Sequence, residues 1–135
     1  MSEPAERRSS RPAIIALCFA LDVVLVTAFA AIGRASHGEQ TFAGLWQTAW
    51  PFLTALVAGW LVTLAWRAPA APVRTGLGVW AVTVVGGMLL RQASGQGIAP
   101  AFIIVAATVL LVFLVGWRLI AAWVHRRRMP RPASP

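Results

Sequence analysis

Read from the N-terminus, apolar residues fall into four long runs separated by short polar breaks. The first expected span is 13–32, bounded by Arg11 and Arg34. The second is 45–66, closed by Arg67 and carrying Pro51 in its first two turns. The third, 73–90, lies between Arg74 and Arg91, and the fourth, 98–124, is stopped by His125, Arg126, Arg127 and Arg128. At about 1.5 Å per residue these runs reach roughly 25 to 40 Å, enough to cross a hydrocarbon layer about 30 Å thick. The break "RAPAAPVR", residues 67–74, leaves no room for a soluble domain. The pattern predicts an all-α fold: a four-helix transmembrane bundle in one integral membrane domain over 1–135, with tails at 1–12 and 125–135.

Composition agrees with lipid as the solvent. Hydrophobic residues make up 59% and charged residues 12% of the chain, too few charges to cover a water-soluble globule. Arg7, Arg8 and Arg11 ahead of an apolar run raise the question of a cleavable leader. Such cores are usually shorter than about 15 residues, however, and this run is about 20, so the first helix is expected to be retained. Cys18 is the single cysteine, which excludes an intrachain disulfide.

The net charge of +8 comes from arginine, with no lysine in the chain. Nearly all the arginines flank apolar runs instead of lining a soluble face with interleaved aromatics, which argues against nucleic acid as a partner. The N-terminal tail holds Arg7, Arg8 and Arg11, and the second connection Arg67 and Arg74. Arg118, Arg126, Arg127, Arg128 and Arg131 fall at the C-terminal end, against only Arg34 and Arg91 on the other side. The positive-inside rule then predicts a multi-pass protein of the cytoplasmic membrane with both termini cytoplasmic. Arg126, Arg127 and Arg128 are expected to lie on anionic lipid headgroups at about 1 kcal/mol each. Trp46 and Trp50 read as one interfacial belt and Trp66, Trp117 and Trp123 as the other, while Trp60 and Trp80 fall deeper.

One residue breaks the first run, the acid in "ALCFALDVVLVTAFA", residues 16–30. Asp22 is eleven residues from Arg11 and twelve from Arg34, about 16 to 18 Å from each and so near the bilayer midplane. An Asp there costs roughly 2.5–3.5 kcal/mol. Each surrounding Leu, Ile, Val or Phe returns about 0.3–0.6, so the helix still inserts, with its acid facing protein or water. Depth counted from the helix ends brings Thr54, Thr83 and Thr108 to the same level, making Asp22 and these hydroxyls a candidate intramembrane polar site. Arg91, about 12 Å outward, is a second choice of partner. Ile15, Cys18, Asp22, Val26, Phe29 and Gly33 share one helix face, and Ala13, Ala16, Ala20, Thr27 and Ala31 form a small-residue stripe nearly opposite. Two faces that both favour protein neighbours suggest a homo-oligomer or a larger membrane complex.

The first and third helices exit through similar segments, "GRASHG" at 33–38 and "LRQASG" at 90–95. Their successors begin "AWPF" at 49–52 and "APAF" at 99–102 and reach "WR" at 66–67 and 117–118. This suits a degenerate two-helix parallel repeat. It would bring Arg34 and Arg91 together at an outer mouth with His37, Gln92 and Gln96, where paired arginines suit an anionic headgroup or solute. His37 and Glu39 are too sparse for a metal site, and the adjacent Ser36 and His37 are a poor nucleophile pair. The chain is accordingly expected not to be an enzyme and to need no metal or cofactor.

Taken together, "D" at 22, "GRASH", "TAWPF", "GW", "GMLLRQASGQG" and "GWR" resemble a family of small bacterial four-span proteins, the domain-of-unknown-function family 3054. The likeness covers about residues 15–120, with matching positions Asp22, Gly33, Arg34, His37, Trp50, Pro51, Phe52, Gly59, Trp60, Met88, Arg91, Gly95 and Gly97. The resemblance implies an integral membrane fold and supplies no activity. Two readings follow. One is a non-enzymatic, self-associating or complex-forming membrane component with a buried acid in its first span. The alternative is a proton-coupled small-solute transporter or pore using Asp22. Transport requires a wet cavity reaching the acid, and a structural role requires a dry one.

Overall fold

A computed structural model describes residues 3–38, 41–130 and 132, with only the backbone considered for 3–9; Glu39 and Arg131 lie outside this set. The described chain is all-helical: α1 (Glu3–Ser36), α2 (Phe42–Thr63), α3 (Gly78–Ala93) and α4 (Pro100–Arg128). The stretches Ser10–Ser36, Phe42–Thr63, Pro72–Ala93 and Pro100–Arg128 are each long and apolar enough to cross a membrane. Large apolar side chains point outward on every helix, among them Leu17, Val62, Leu89 and Ile104. That surface suits hydrocarbon, and helices are the form that satisfies backbone hydrogen bonds within it.

Short connections make successive helices antiparallel neighbours. One face of the bundle, here the terminal face, gathers the start of α1, the α2–α3 connection and the end of α4. The loop face holds the other two connections. α2 packs most extensively on α3, while α1 lies against α2 and α4. The helices differ from the expected spans mainly at the terminal face. α1 runs through Pro12 back to Glu3, and α4 continues to Arg128, so much of both expected tails is helix.

α2 stops early. Leu64 takes a left-handed conformation with φ 52°, its N–H turned back to Trp60 and Leu61 carbonyls, and a short 3₁₀ turn follows at Ala65–Arg67. The chain then enters α3 through a widened, π-type turn, Pro72–Leu77, in which the Gly76 N–H reaches the Ala71 carbonyl at 2.9 Å. Thr75 and Gly76 are buried there, and the Thr75 hydroxyl donates to the Ala68 carbonyl. This connection folds inward and closes the terminal face.

Cys18, Asp22, Val26 and Phe29 form the buried face of α1; Ile15 is half-buried and Gly33 exposed. The alanines of the opposite stripe, Ala13, Ala16, Ala20 and Ala31, are exposed, with Thr27 half-buried. Toward the loop face the core is aromatic. Phe29 meets Phe52 edge-on at a centroid distance of 5.4 Å, and Phe102 lies 6.1 Å from Phe52. Gly87 makes room for this cluster, since a Cβ there would collide with the Phe52 ring.

Candidate functional site, a buried carboxylate clamp

Asp22 sits on the buried face of α1 at 0% exposure, but its partners are not the threonines. Arg118 of α4 grips it with both terminal nitrogens, Nη1 to Oδ1 at 3.0 Å and Nη2 to Oδ2 at 2.7 Å. Two indoles complete the shell: Trp60 of α2 donates to Oδ2 at 2.9 Å, and Trp117 of α4 donates to Oδ1 at 2.8 Å. The carboxylate therefore accepts four N–H donors, two on each oxygen. A carboxylate offers about four acceptor directions, so this one is filled.

Arg118 is itself fully buried and held on its other edges. Its Nε donates to the Pro69 carbonyl at 2.9 Å, and Nη1 also donates to the Leu114 carbonyl one turn back along α4 at 2.8 Å. The guanidinium carbon lies 4.5 Å from the Trp117 ring centroid. Beneath it, Gly76 allows the π-type turn to approach closely, since a Cβ there would stand 3.2 Å from Arg118 Cδ. One ion pair thus touches α1, α2, α4 and the α2–α3 connection. Charge-assisted, bidentate pairing of this kind is strong and directional, and in hydrocarbon each charge would be very costly alone.

The expected threonine layer is corrected by this geometry. Thr54 and Thr108 are exposed, and the Thr108 hydroxyl donates to its own helix at the Ile104 carbonyl. Thr83 is buried, and its hydroxyl has no hydrogen-bond partner among the described residues. The side chains that meet Asp22 lie six residues past Thr54 at Trp60 and nine past Thr108 at Trp117, a displacement of roughly 9 to 14 Å toward the terminal face. Depth counted from helix ends assumes that the ends are flush. Here α2 stops one turn beyond Trp60, whereas α4 runs on about ten residues past the clamp and α1 about nineteen. Arg118, grouped by sequence with the C-terminal charges, belongs to the interior, and Trp117 belongs to the clamp instead of the interfacial belt. Trp80, also left open by the sequence, donates to the Ala107 carbonyl at 2.8 Å and ties α3 to α4.

At the loop face, Arg34 donates to the Thr48 hydroxyl at 3.2 Å and lies against Gly44. Arg91 donates to Gln96 Oε1 at 2.9 Å and stacks 4.3 Å from the Phe102 centroid. Each arginine is tied to the segment that follows it in sequence. His37 and Gln92 are exposed. The hairpins are alike in this use of arginine and diverge at the other end, where Arg67 is exposed and Arg118 buried. Arg126, Arg127 and Arg128 are exposed at the terminal face, with Arg127 stacked 4.5 Å from the Trp123 centroid. Among the described residues, no three His, Cys, Asp or Glu side chains converge on a point where a metal could be held.

Sequence reasoning missed Trp60, Trp117 and Arg118 as partners, although the signal was present. Arg118 is the one basic residue inside the fourth expected span and Asp22 the one acid inside the first, and opposite charges in hydrocarbon seek each other. A family model described as "Protein of unknown function (DUF3054)" matches residues 19–121, a stretch that takes in the whole clamp. Nothing among curated proteins and nothing among solved structures matches the chain.

Proposed function

Because the chain belongs to the DUF3054 family, which carries no assigned activity, we propose a role from the geometry. The protein is a non-enzymatic, multi-pass component of the cytoplasmic membrane that packs with itself or within a larger complex, and the Asp22–Arg118 clamp fixes the register of its helices. The observation that carries this reading is the enclosure of Asp22: 0% exposed, with four N–H donors from two neighbouring helices. A proton-carrying acid must exchange with water, and a carboxylate with every acceptor direction occupied is poorly suited to that task.

Two further features support the finer parts of the proposal. The alanine face of α1 is exposed, and small residues favour close helix contact in lipid, where burial of apolar area gives no advantage. Exposed Arg11, Arg67, Arg74, Arg126, Arg127 and Arg128 all lie at the terminal face, against half-buried Arg34 and Arg91 at the loop face, as cytoplasmic termini require.

The test is proton flux in vesicles reconstituted with the purified wild-type chain or with Asp22→Asn, read by an internal pH dye, alongside oligomeric state and thermal stability. The expected result is flux indistinguishable from protein-free vesicles for both chains, with lower stability and a weakened assembly for Asp22→Asn. Flux carried by the wild type and abolished in a still-folded Asp22→Asn would sink the structural reading in favour of the carrier.

A further inference from the structure

Beside the clamp, but outside it, a groove of about 540 Å³ runs along α1 toward the terminal face, lined by Arg11, Pro12, Ile15, Ala16, Phe19, Trp60 and Trp66. Its walls are almost wholly apolar, and one charge stands at its end. Arg11 is exposed and makes no hydrogen bond or ion pair with any described residue. It bounds the first apolar run, 13–32, where a flanking arginine is expected at headgroup level. Trp66, just past the end of α2 and 38% exposed, marks the same level on the other wall.

From Arg11 the groove passes eight residues along α1 to Phe19, about 12 Å along the helix axis. Its floor is rigid. Phe19 meets Trp60 edge-on at 5.2 Å, and the Trp60 nitrogen is anchored to Asp22, which turns the apolar body of the indole toward the groove. A preformed apolar channel ending in an unpaired guanidinium at the interface matches an amphiphile with an anionic phosphate head and an acyl tail.

We propose that this groove binds one anionic phospholipid, its phosphate on Arg11 and one acyl chain along Ile15, Ala16, Phe19 and Trp60. Guanidinium recognises phosphate through paired N–H donors. The groove has no donors along its depth, so selectivity resides in Arg11 and occupancy in the channel. Trp60 is shared with the clamp, but lipid binding here requires only its apolar face and not the role proposed for the clamp.

Native mass spectrometry of the purified full chain, titrated with phosphatidylglycerol or with phosphatidylcholine of identical acyl chains, tests the assignment. The wild type is expected to retain one phosphatidylglycerol per chain in preference to phosphatidylcholine. Arg11→Gln should lose about fivefold in phosphatidylglycerol affinity, the equivalent of one basic residue at an anionic headgroup. Arg11→Lys should keep most of the preference. Ala16→Phe, which fills the channel, should reduce binding of both lipids. Equal retention of the two lipids by the wild type, or undiminished phosphatidylglycerol binding by Arg11→Gln, would overturn the proposal. So would a chain dimer dissolved by Ala16→Phe with lipid binding untouched, since the groove would then hold a second copy.

Discussion

At the scale of single residues, the clamp assigns unequal weights to tryptophans that look alike in the sequence. Trp60 and Trp117 donate to a carboxylate, whereas Trp80 donates to a neutral backbone carbonyl. Hydrogen bonds to charged groups contribute about 1.5–3 kcal/mol and neutral ones about 0.5–1.5. Trp60→Phe and Trp117→Phe should therefore each cost more than Trp80→Phe in an unfolding titration in mixed micelles. Equal costs for the three would mean that the carboxylate is not the acceptor. That Asp22 needs an enclosed partner was legible from its position in an apolar run. Which partner it takes was not, because helical period fixes the face of α1 but says nothing of how far α4 slides along it. Arg118 stands beside Trp117 and eight residues before Arg126, and reads equally well as one more interfacial charge.

Among the elements, the α2–α3 connection was the least legible and does the most to close the site. Its residues "APAAP" look like a surface linker, yet the segment turns inward because Arg118 needs the Pro69 carbonyl and because Gly76 leaves room for the arginine stem. Arg118 is pinned at both edges and cannot give way, so Gly76→Ala should destabilise the bundle by about 1–3 kcal/mol, as overpacking does. Gly116→Ala on α4 meets nothing within 4 Å and should be neutral or stabilising by up to about 1 kcal/mol through helix propensity. Thermal unfolding followed by circular dichroism separates the two; a neutral Gly76→Ala would show the connection to be loose. The four helices themselves were legible from apolar run length alone. Their ends were not, because Arg11 and His125 mark the edge of the hydrocarbon and leave the helical backbone free to continue into the headgroups.

For the whole molecule, the proposed topology has both helix ends of the terminal face in the cytoplasm, a reading supported by the one-sided exposed arginines. Single cysteines at Ser10 and Met129 in a Cys18→Ala background should resist a membrane-impermeant maleimide in intact cells and react after lysis. A cysteine at exposed Ala93, on the loop face, should react in intact cells; labelling of Ser10 and Met129 from opposite sides would contradict the bundle's even number of crossings. The central claim is that one buried ion pair couples the helices, and a double-mutant cycle on Asp22→Asn and Arg118→Gln measures it most directly. Each single variant leaves the opposite charge buried and should cost about 3–5 kcal/mol in an unfolding titration, while the double variant should cost at least about 2 kcal/mol less than their sum. Costs that add to within about 0.5 kcal/mol would show that the two residues do not hold each other in the membrane.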